Sequence, residues 1–281
     1  MIANPFTYAA PTTLDQALAQ SADGSSKLLA GGMSLIPLMK LRLASPETLV
    51  DLGRIPGLDS ISESGGIVTV GAMATHHSVE VSPVIRGKLP LLAETASHIG
   101  DIQVRNMGTI GGSIAHCDPA ADYPAALFAL EAQVHLANAN SERTLPFADF
   151  LVDTFTTALE RGEIVTGITV PAEPGGAGVS YQKMHQPASG FALVGAAVRV
   201  VRSNGGFGFV RIGITGLASK AYRAANVESI LLSTGDVDKA AARVADDIEA
   251  NSDLNASAAY RSQMARVYTA RALKVALART S

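Results

Sequence analysis

Two stretches, Leu29–Ala30–Gly31–Gly32–Met33–Ser34–Leu35 and Gly108–Thr109–Ile110–Gly111–Gly112–Ser113, govern the reading of this chain. The first follows a short strand pattern, Lys27–Leu28–Leu29–Ala30, and leads into a helical pattern with Ser34 near its start. The second runs on into His116–Cys117–Asp118–Pro119–Ala120–Ala121–Asp122. Consecutive glycines let a backbone approach a ligand closely, and amides exposed at a turn or helix start favour phosphate oxygens. Hydroxyls at Ser34, Thr109 and Ser113 can add donors without crowding, and a carboxylate such as Asp122 suits the donor hydroxyls of a ribose. A single Gly–Gly pair is more often only a tight turn. Neither stretch is a G-x-G-x-x-G fingerprint. Gly206–Phe207–Gly208 has its start, but Arg211 stands where the last glycine belongs, so it reads as a turn.

Working outward from the first stretch, Thr12 or Thr13 caps an amphipathic helix with Leu14, Ala17 and Leu18 on one face. Pro37 is tolerable in the first turn of the next helix, because the N–H it lacks would be unpaired there. Strands are expected at Thr48–Leu52, Ile67–Gly71, Gln133–Ala137 and Glu163–Val170, and helices from Thr75, over Leu89–Ile99 and from about Tyr123 to Leu130. Gly53–Arg54–Ile55–Pro56–Gly57 closes the first of these strands as a turn. Pro171–Ala172–Glu173–Pro174–Gly175–Gly176–Ala177–Gly178 is the strongest linker signal and the expected domain boundary. Beyond it, Ala192–Arg202 and Phe207–Ile214 form a hairpin through Asn204–Gly205–Gly206. An Ala-rich helical tail carries Val244, Ile248, Met264, Val267, Ala270, Leu273, Ala276 and Leu277. The chain is therefore α+β.

Composition excludes several roles. The 281 residues carry a net charge of −3 with scattered Lys and Arg, which lacks the basic footprint that nucleic acid needs. Charged residues are 17% of the chain, against about 25% in an ordinary soluble domain. Mean hydropathy is positive, yet no apolar run approaches the roughly 20 residues of a membrane span. So apolar a chain is expected to cover part of its surface with other chains. Met1 to Pro11 lack a positive n-region and an apolar h-region, so the expected address is the cytoplasm. The one cysteine, Cys117, rules out an internal disulfide and any four-Cys cluster within this chain. Redox chemistry here would need an organic cofactor or a partner.

The residues then point to a family. Ala30–Gly31–Gly32–Met33–Ser34–Leu35–Ile36–Pro37 with Lys40, Arg42, Pro46 and Leu49–Val50–Asp51–Leu52 resembles the first FAD motif of the molybdenum hydroxylases. Gln103–Val104–Arg105–Asn106–Met107 running into Gly108–Ser113, with Asp118–Pro119–Ala120 and Asp122, resembles the second. The likeness extends through Tyr181–Gln182–Lys183–Met184–His185–Gln186–Pro187–Ala188–Ser189–Gly190–Phe191–Ala192 and covers nearly the whole chain. In the xanthine dehydrogenase and aerobic carbon monoxide dehydrogenase family, this polypeptide is the FAD-binding medium subunit. The resemblance implies a two-part FAD-binding domain of the vanillyl-alcohol oxidase/PCMH-like type over residues 1–175, with subdomains at about 1–56 and 57–175. A smaller C-terminal domain of antiparallel sheet plus helices would occupy 176–281.

By that resemblance Leu29, Ala30, Gly31, Gly32, Met33, Ser34 and Leu35 wrap the FAD pyrophosphate from one side. Thr109, Ile110, Gly111, Gly112 and Ser113 wrap it from the other. Asp122 would bind a ribose hydroxyl, Val165 would pack near the adenine, Lys183 would sit by the flavin, and Phe191 would border the isoalloxazine. The implied partners are a large molybdenum-cofactor subunit and a small [2Fe-2S] subunit, paired as a dimer of heterotrimers. Electrons would pass from those clusters to FAD and on to an external acceptor. Two departures stand out: Gln186, Pro187 and Gly190 replace an Arg-rich segment with an Asp found in many relatives, and Met33 replaces a polar residue. The Pro–Ala–Ser–Gly version leans toward the carbon monoxide dehydrogenase-like branch.

Other candidates read as structure. His76 and His77 follow a strand, but neighbours on a helix point about 100° apart and suit one metal poorly. His116–Cys117–Asp118 is expected to be a phosphate-side loop rather than a metal triplet, and Cys117 has no visible base to make it a nucleophile. Two rival readings remain. A stand-alone FAD-dependent oxidase or reductase would need polar catalytic residues after the linker, where no obvious set stands. A non-enzymatic nucleotide-binding assembly module would lack a flavin spectrum.

Overall fold

The structure is a computed structural model describing residues 2–22, 25–203 and 206–280. Its first layer is a parallel three-stranded sheet in the order Thr7–Ala9, Thr48–Asp51, Ser26–Leu29. Thr13 caps the Leu14–Ser21 helix by accepting from the Gln16 amide, and Ala17 and Leu18 bury against Val50 and Leu52. The parallel pair matters for the site, because ligands collect where the carboxyl ends of parallel strands deliver their loops. Here Ser26–Leu29 delivers the first glycine turn and Thr48–Asp51 delivers Leu52–Arg54 beside it.

A five-stranded antiparallel sheet follows, in the order Ile61–Ser64, Ile67–Gly71, Ile164–Pro171, Gln133–Ala137, Glu142–Pro146. Its Val68, Val70, Val134, Leu136 and Ile168 build the main core with the Pro90–Ser97 and Tyr123–Ala129 helices. The third layer is antiparallel: Gly178–His185, Ala192–Ser203, Gly206–Thr215 and Tyr222–Arg223. The Ala258–Ala278 helix lies on this sheet, burying Arg261, Ala265, Thr269, Ala272, Leu273 and Ala276. The opposite face meets the Tyr123–Ala129 helix so closely that a Cβ on Gly213 would collide with the Ala125 carbonyl. No helix among the described residues is long and apolar enough to cross a membrane.

Some elements differ from the sequence expectation. The second glycine stretch is not a bare loop: Ile110–His116 is a helix capped by Thr109, preceded by the helix Ile102–Met107. Glycine costs about 1 kcal/mol in a helix interior, and close packing overrides that preference here. The turn residues Asn204 and Gly205 lie outside the described residues. Gly206, Phe207 and Gly208 open the second strand of the hairpin instead of forming its turn. A helix at Ala225–Thr234 went unread because Ala224 gives it no side-chain cap.

Candidate functional site

The two glycine stretches meet. A Cβ on Gly31 would run into the Met107 carbonyl, and one on Gly112 would lie 3.4 Å from the Ala30 Cβ. Between them opens a cleft of about 400 Å³, lined on the glycine side by Ala30, Gly31, Asn106, Met107 and Thr109. Its other wall comes from Leu52–Pro56, Asp59, Met73 and Thr75. That wall escaped the sequence reading, which took Gly53–Gly57 only as a closing turn. No local signal marks it: the turn reaches the cleft because it ends a strand parallel to the one feeding Gly31.

The local reasons for each segment differ. Gly32 sits at φ 73°, a left-handed conformation that glycine reaches without a steric cost. Its carbonyl accepts from Ile36, opening the Leu35–Lys40 helix. Among the described residues, no acceptor takes the amides of Gly31, Gly32, Met33 or Ser34. A run of free amides around a turn is a concave donor set for an anion. Met33 is solvent-exposed, while Leu29, Ser34 and Leu35 are half-buried.

In the second segment the donors are spent inside the protein. Ile110 N–H donates to Ala74 O, Gly111 N–H to Ala72 O, and Gly112 N–H to Thr109 Oγ1. Gly111 is required sterically, since a Cβ there would stand 2.5 Å from the Ala72 Cβ. Thr109, Ile110 and Gly111 are buried, with Gly112 and Ser113 half-buried. Beneath them, His76 donates its amide to Gly108 O and packs edge-on against Tyr123 at 5.3 Å. Burial, reinforced by the Arg105 charge, holds the His76 imidazole down at about 4. His77, next along the same helix, is half-buried.

Asp122 and Lys183 form a second cluster. Lys183 Nζ donates to Asp122 Oδ2 at 2.8 Å and to the His98 carbonyl at 2.9 Å, with the lysine side chain 2% exposed. Tyr181 Oη donates to Asp122 Oδ1 at 2.5 Å. Burial raises the Asp122 carboxyl above its ordinary range, against the opposing pull of Lys183 and the Tyr181 hydrogen bond. The pair joins the segment before the linker to the C-terminal sheet. Phe191 is half-exposed on the 186–191 turn, where Gln186 Oε1 accepts from Ala188 and Ser189. Ala192 N–H donates to Ala120 O, which brings Phe191 beside the 118–122 segment. Val165 is buried in the main core, and neither it nor Asp122, Lys183 or Phe191 is among the residues lining the cleft.

Cys117 takes a left-handed conformation at the end of the Ile110–His116 helix, and its thiol donates toward the Asp153 and Thr156 carbonyls. Burial raises its pKa, which leaves it a packed cap and not a thiolate.

The residues present fit a dinucleotide diphosphate. A glycine cradle that admits no Cβ, free amides along one rim and a hydroxyl-bearing helix start along the other are what such a group needs. Comparison with known proteins agrees. Residues 4–173 match the family described as FAD binding domain in molybdopterin dehydrogenase. Residues 179–276 match the CO dehydrogenase flavoprotein C-terminal domain. The chain is 42% identical to the carbon monoxide dehydrogenase medium chain of Hydrogenophaga pseudoflava, over 99% of both. It is 36% identical to the 6-hydroxypseudooxynicotine dehydrogenase complex subunit alpha of Paenarthrobacter nicotinovorans, covering 98% of this chain and 95% of that one. A solved structure of the Hydrogenophaga pseudoflava enzyme, lacking the Mo-pyranopterin moiety of its cofactor, superposes with a TM-score of 0.96 at 41% identity, covering 100% of both chains.

Proposed function

The chain belongs to the FAD-binding medium subunits of the molybdenum hydroxylase family, and from that premise we propose how its residues serve an electron-transfer assembly. The carrying observation is that two glycine segments about 80 positions apart meet at one cleft, which Ala30 and Gly31 line from the first and Thr109 from the second, the first with unspent amides and the second as a packed helix start. Gly31, Gly32, Met33 and Ser34 would hold the FAD pyrophosphate by their amides, with Leu29, Ala30 and Leu35 shaping that rim. Thr109–Ser113 would close the other side. Asp122 would bind a ribose hydroxyl, Lys183 and Phe191 would stand toward the flavin end, and Val165 would pack near the adenine. Bound FAD exchanges electrons singly or in pairs, which suits a relay between [2Fe-2S] clusters on a small partner and an external acceptor.

The chain's own contribution is binding and electrostatics. Lys183 is an ammonium withdrawn from solvent and fixed by Asp122 and the His98 carbonyl, so its charge is pre-oriented. Its one cysteine is buried and bonded, so the iron–sulfur centres belong to another polypeptide. Substrate oxidation would take place at a molybdenum cofactor on a large partner, within a dimer of heterotrimers in the cytoplasm. The Pro187–Ala188–Ser189–Gly190 turn and the 42% identity favour a carbon monoxide dehydrogenase-type assembly.

Co-purification tests this. The chain should bring down a large and a small subunit, with one acid-releasable FAD per copy and a flavin absorption spectrum. Carbon monoxide, aldehydes and N-heterocycles are then offered in turn as reductants. Full turnover by the isolated chain, or a colourless complex that takes up no FAD, would overturn the reading.

A further inference from the structure

Arg105 lies just before the second glycine segment, and its hydrogen-bond and ion-pair partners include neither glycine pair. It stands in the Ile102–Met107 helix with its side chain 18% exposed. Nη1 donates to the carbonyls of Ile99 at 3.3 Å and Gly100 at 3.2 Å. Nε stands 2.9 Å from Glu80 Oε2, in ion-pair contact without the alignment of a hydrogen bond. Glu80 belongs to the His76–Val81 helix, so a single guanidinium ties two helices to the turn at 98–101.

That turn is where the C-terminal domain arrives. His98 O accepts from Lys183 Nζ, and a Cβ on Gly190 would sit 3.5 Å from the Gly100 Cα. Gly100 is at φ 50°, and a Cβ there would stand 2.8 Å from the Val104 Cβ, so the turn has little freedom of its own. Displacing the 99 and 100 carbonyls therefore displaces the 98 carbonyl that anchors Lys183. It also shifts the foot of the 186–191 turn carrying Phe191. A planar guanidinium can meet two carbonyls and a carboxylate together, whereas an ammonium on a flexible stem lacks the fixed fork that holds all three at once.

We propose that Arg105 is a positioning residue for the flavin: by holding the Ile99 and Gly100 carbonyls, it sets the Lys183 ammonium and the Phe191 turn against the cofactor. This rests on the reading that FAD occupies the cleft between the glycine segments with its flavin end toward Lys183 and Phe191. A purely structural Arg105 would need only its pair with Glu80, and lysine would replace it.

The test uses the full chain co-purified with its partner subunits, as wild type, Arg105→Lys, Arg105→Met, Lys183→Met and Arg105→Lys/Lys183→Met. FAD affinity, the flavin absorption envelope and the flavin midpoint potential are measured. Arg105→Lys should still fold cooperatively, yet bind FAD about tenfold more weakly, the scale of a lost charge-assisted hydrogen bond. It should also move the envelope and the potential in the same direction as Lys183→Met. Because Arg105 acts through Lys183, the double variant should add less than about twofold to the larger single effect. Full rescue by lysine in all three readouts, or effects that multiply in the double variant, would overturn the proposal. A wild-type complex that binds no FAD would instead overturn the underlying reading, and the two failures are separable. Should Arg105→Met not accumulate, Arg105→Gln takes its place with the same expected outcome.

Discussion

The two glycine segments look interchangeable as sequence and do opposite work in the fold. Around Gly31–Gly32 the chain makes a turn whose amides have no acceptor among the described residues. Around Gly111–Gly112 the amides are taken by Ala72, Ala74 and Thr109, and the glycines exist to let a helix start press against Ala72 and Ala30. One is an open set of donors; the other is a wall. A paired glycine therefore states only that something comes close, and the hydrogen bonds decide whether it is a ligand or the protein itself.

The sharpest way to break this contrast is to put a methyl group on each side. Gly31→Ala drives a Cβ into the Met107 carbonyl across the mouth of the cleft, so bound FAD should fall by more than about tenfold as the donor turn is pushed out of place. Gly111→Ala overpacks the core at Ala72 and should cost about 1–3 kcal/mol in denaturant unfolding, while the folded fraction still takes up FAD. Flavin content per folded molecule separates the two. If Gly111→Ala emptied the site and Gly31→Ala did not, wall and donor set would have been assigned the wrong way round.

Acid should strike the wall next. His76 lies under Gly108 and titrates at about 4, below its ordinary 6.5, mainly because it is buried. Between those values the unfolded chain takes a proton that the folded chain refuses, so stability falls as pH drops. The contribution is whole above 6.5 and is lost progressively toward 4, amounting to on the order of 3 kcal/mol. Asp122 has the opposite sign: its carboxyl is raised by burial, so its contribution is largest at low pH and declines as pH rises. Urea midpoints at pH 7.5 and pH 4.5 should diverge for the wild type and converge for His76→Asn. Equal divergence in the variant would remove His76 from the account.

How much of this was legible depended on whether the cause was local. The strand before Gly31, a cap at Thr12 or Thr13 and the apolar, β-branched run Ile67–Gly71 are short-range patterns, and they read directly. The Ile110–His116 helix did not, because two glycines argue against a helix and the argument for it lies in Ala72, brought alongside by a separate strand. Likewise nothing in the sequence joins Lys183 to Asp122 and the His98 carbonyl. The bonds depend on the strand Gly178–His185 lying against the Pro90–Ser97 helix. The Leu52–Pro56 wall was missed for the same reason, since a parallel pairing, not the turn itself, puts it on the cleft.

The smallest effects sharpen the contrast most, because they compare one hydroxyl with another. Thr109 Oγ1 accepts from the Gly112 amide and caps its helix, so Thr109→Ala should cost about 1 kcal/mol of stability. Ser34 stands at the corresponding place before the Leu35–Lys40 helix, but its hydroxyl makes no cap hydrogen bond. Removing it should leave stability within about 0.5 kcal/mol, the range of an uninvolved surface position. If the first turn is the donor set, that hydroxyl is free for a phosphate oxygen. Ser34→Ala should then weaken FAD binding about three- to tenfold, the worth of one ordinary hydrogen bond. Thermal melts without FAD and titrations with it give both numbers for both variants. A Ser34→Ala chain that melts early and binds FAD normally would make the first segment a structural turn like the second, and the asymmetry between them would vanish.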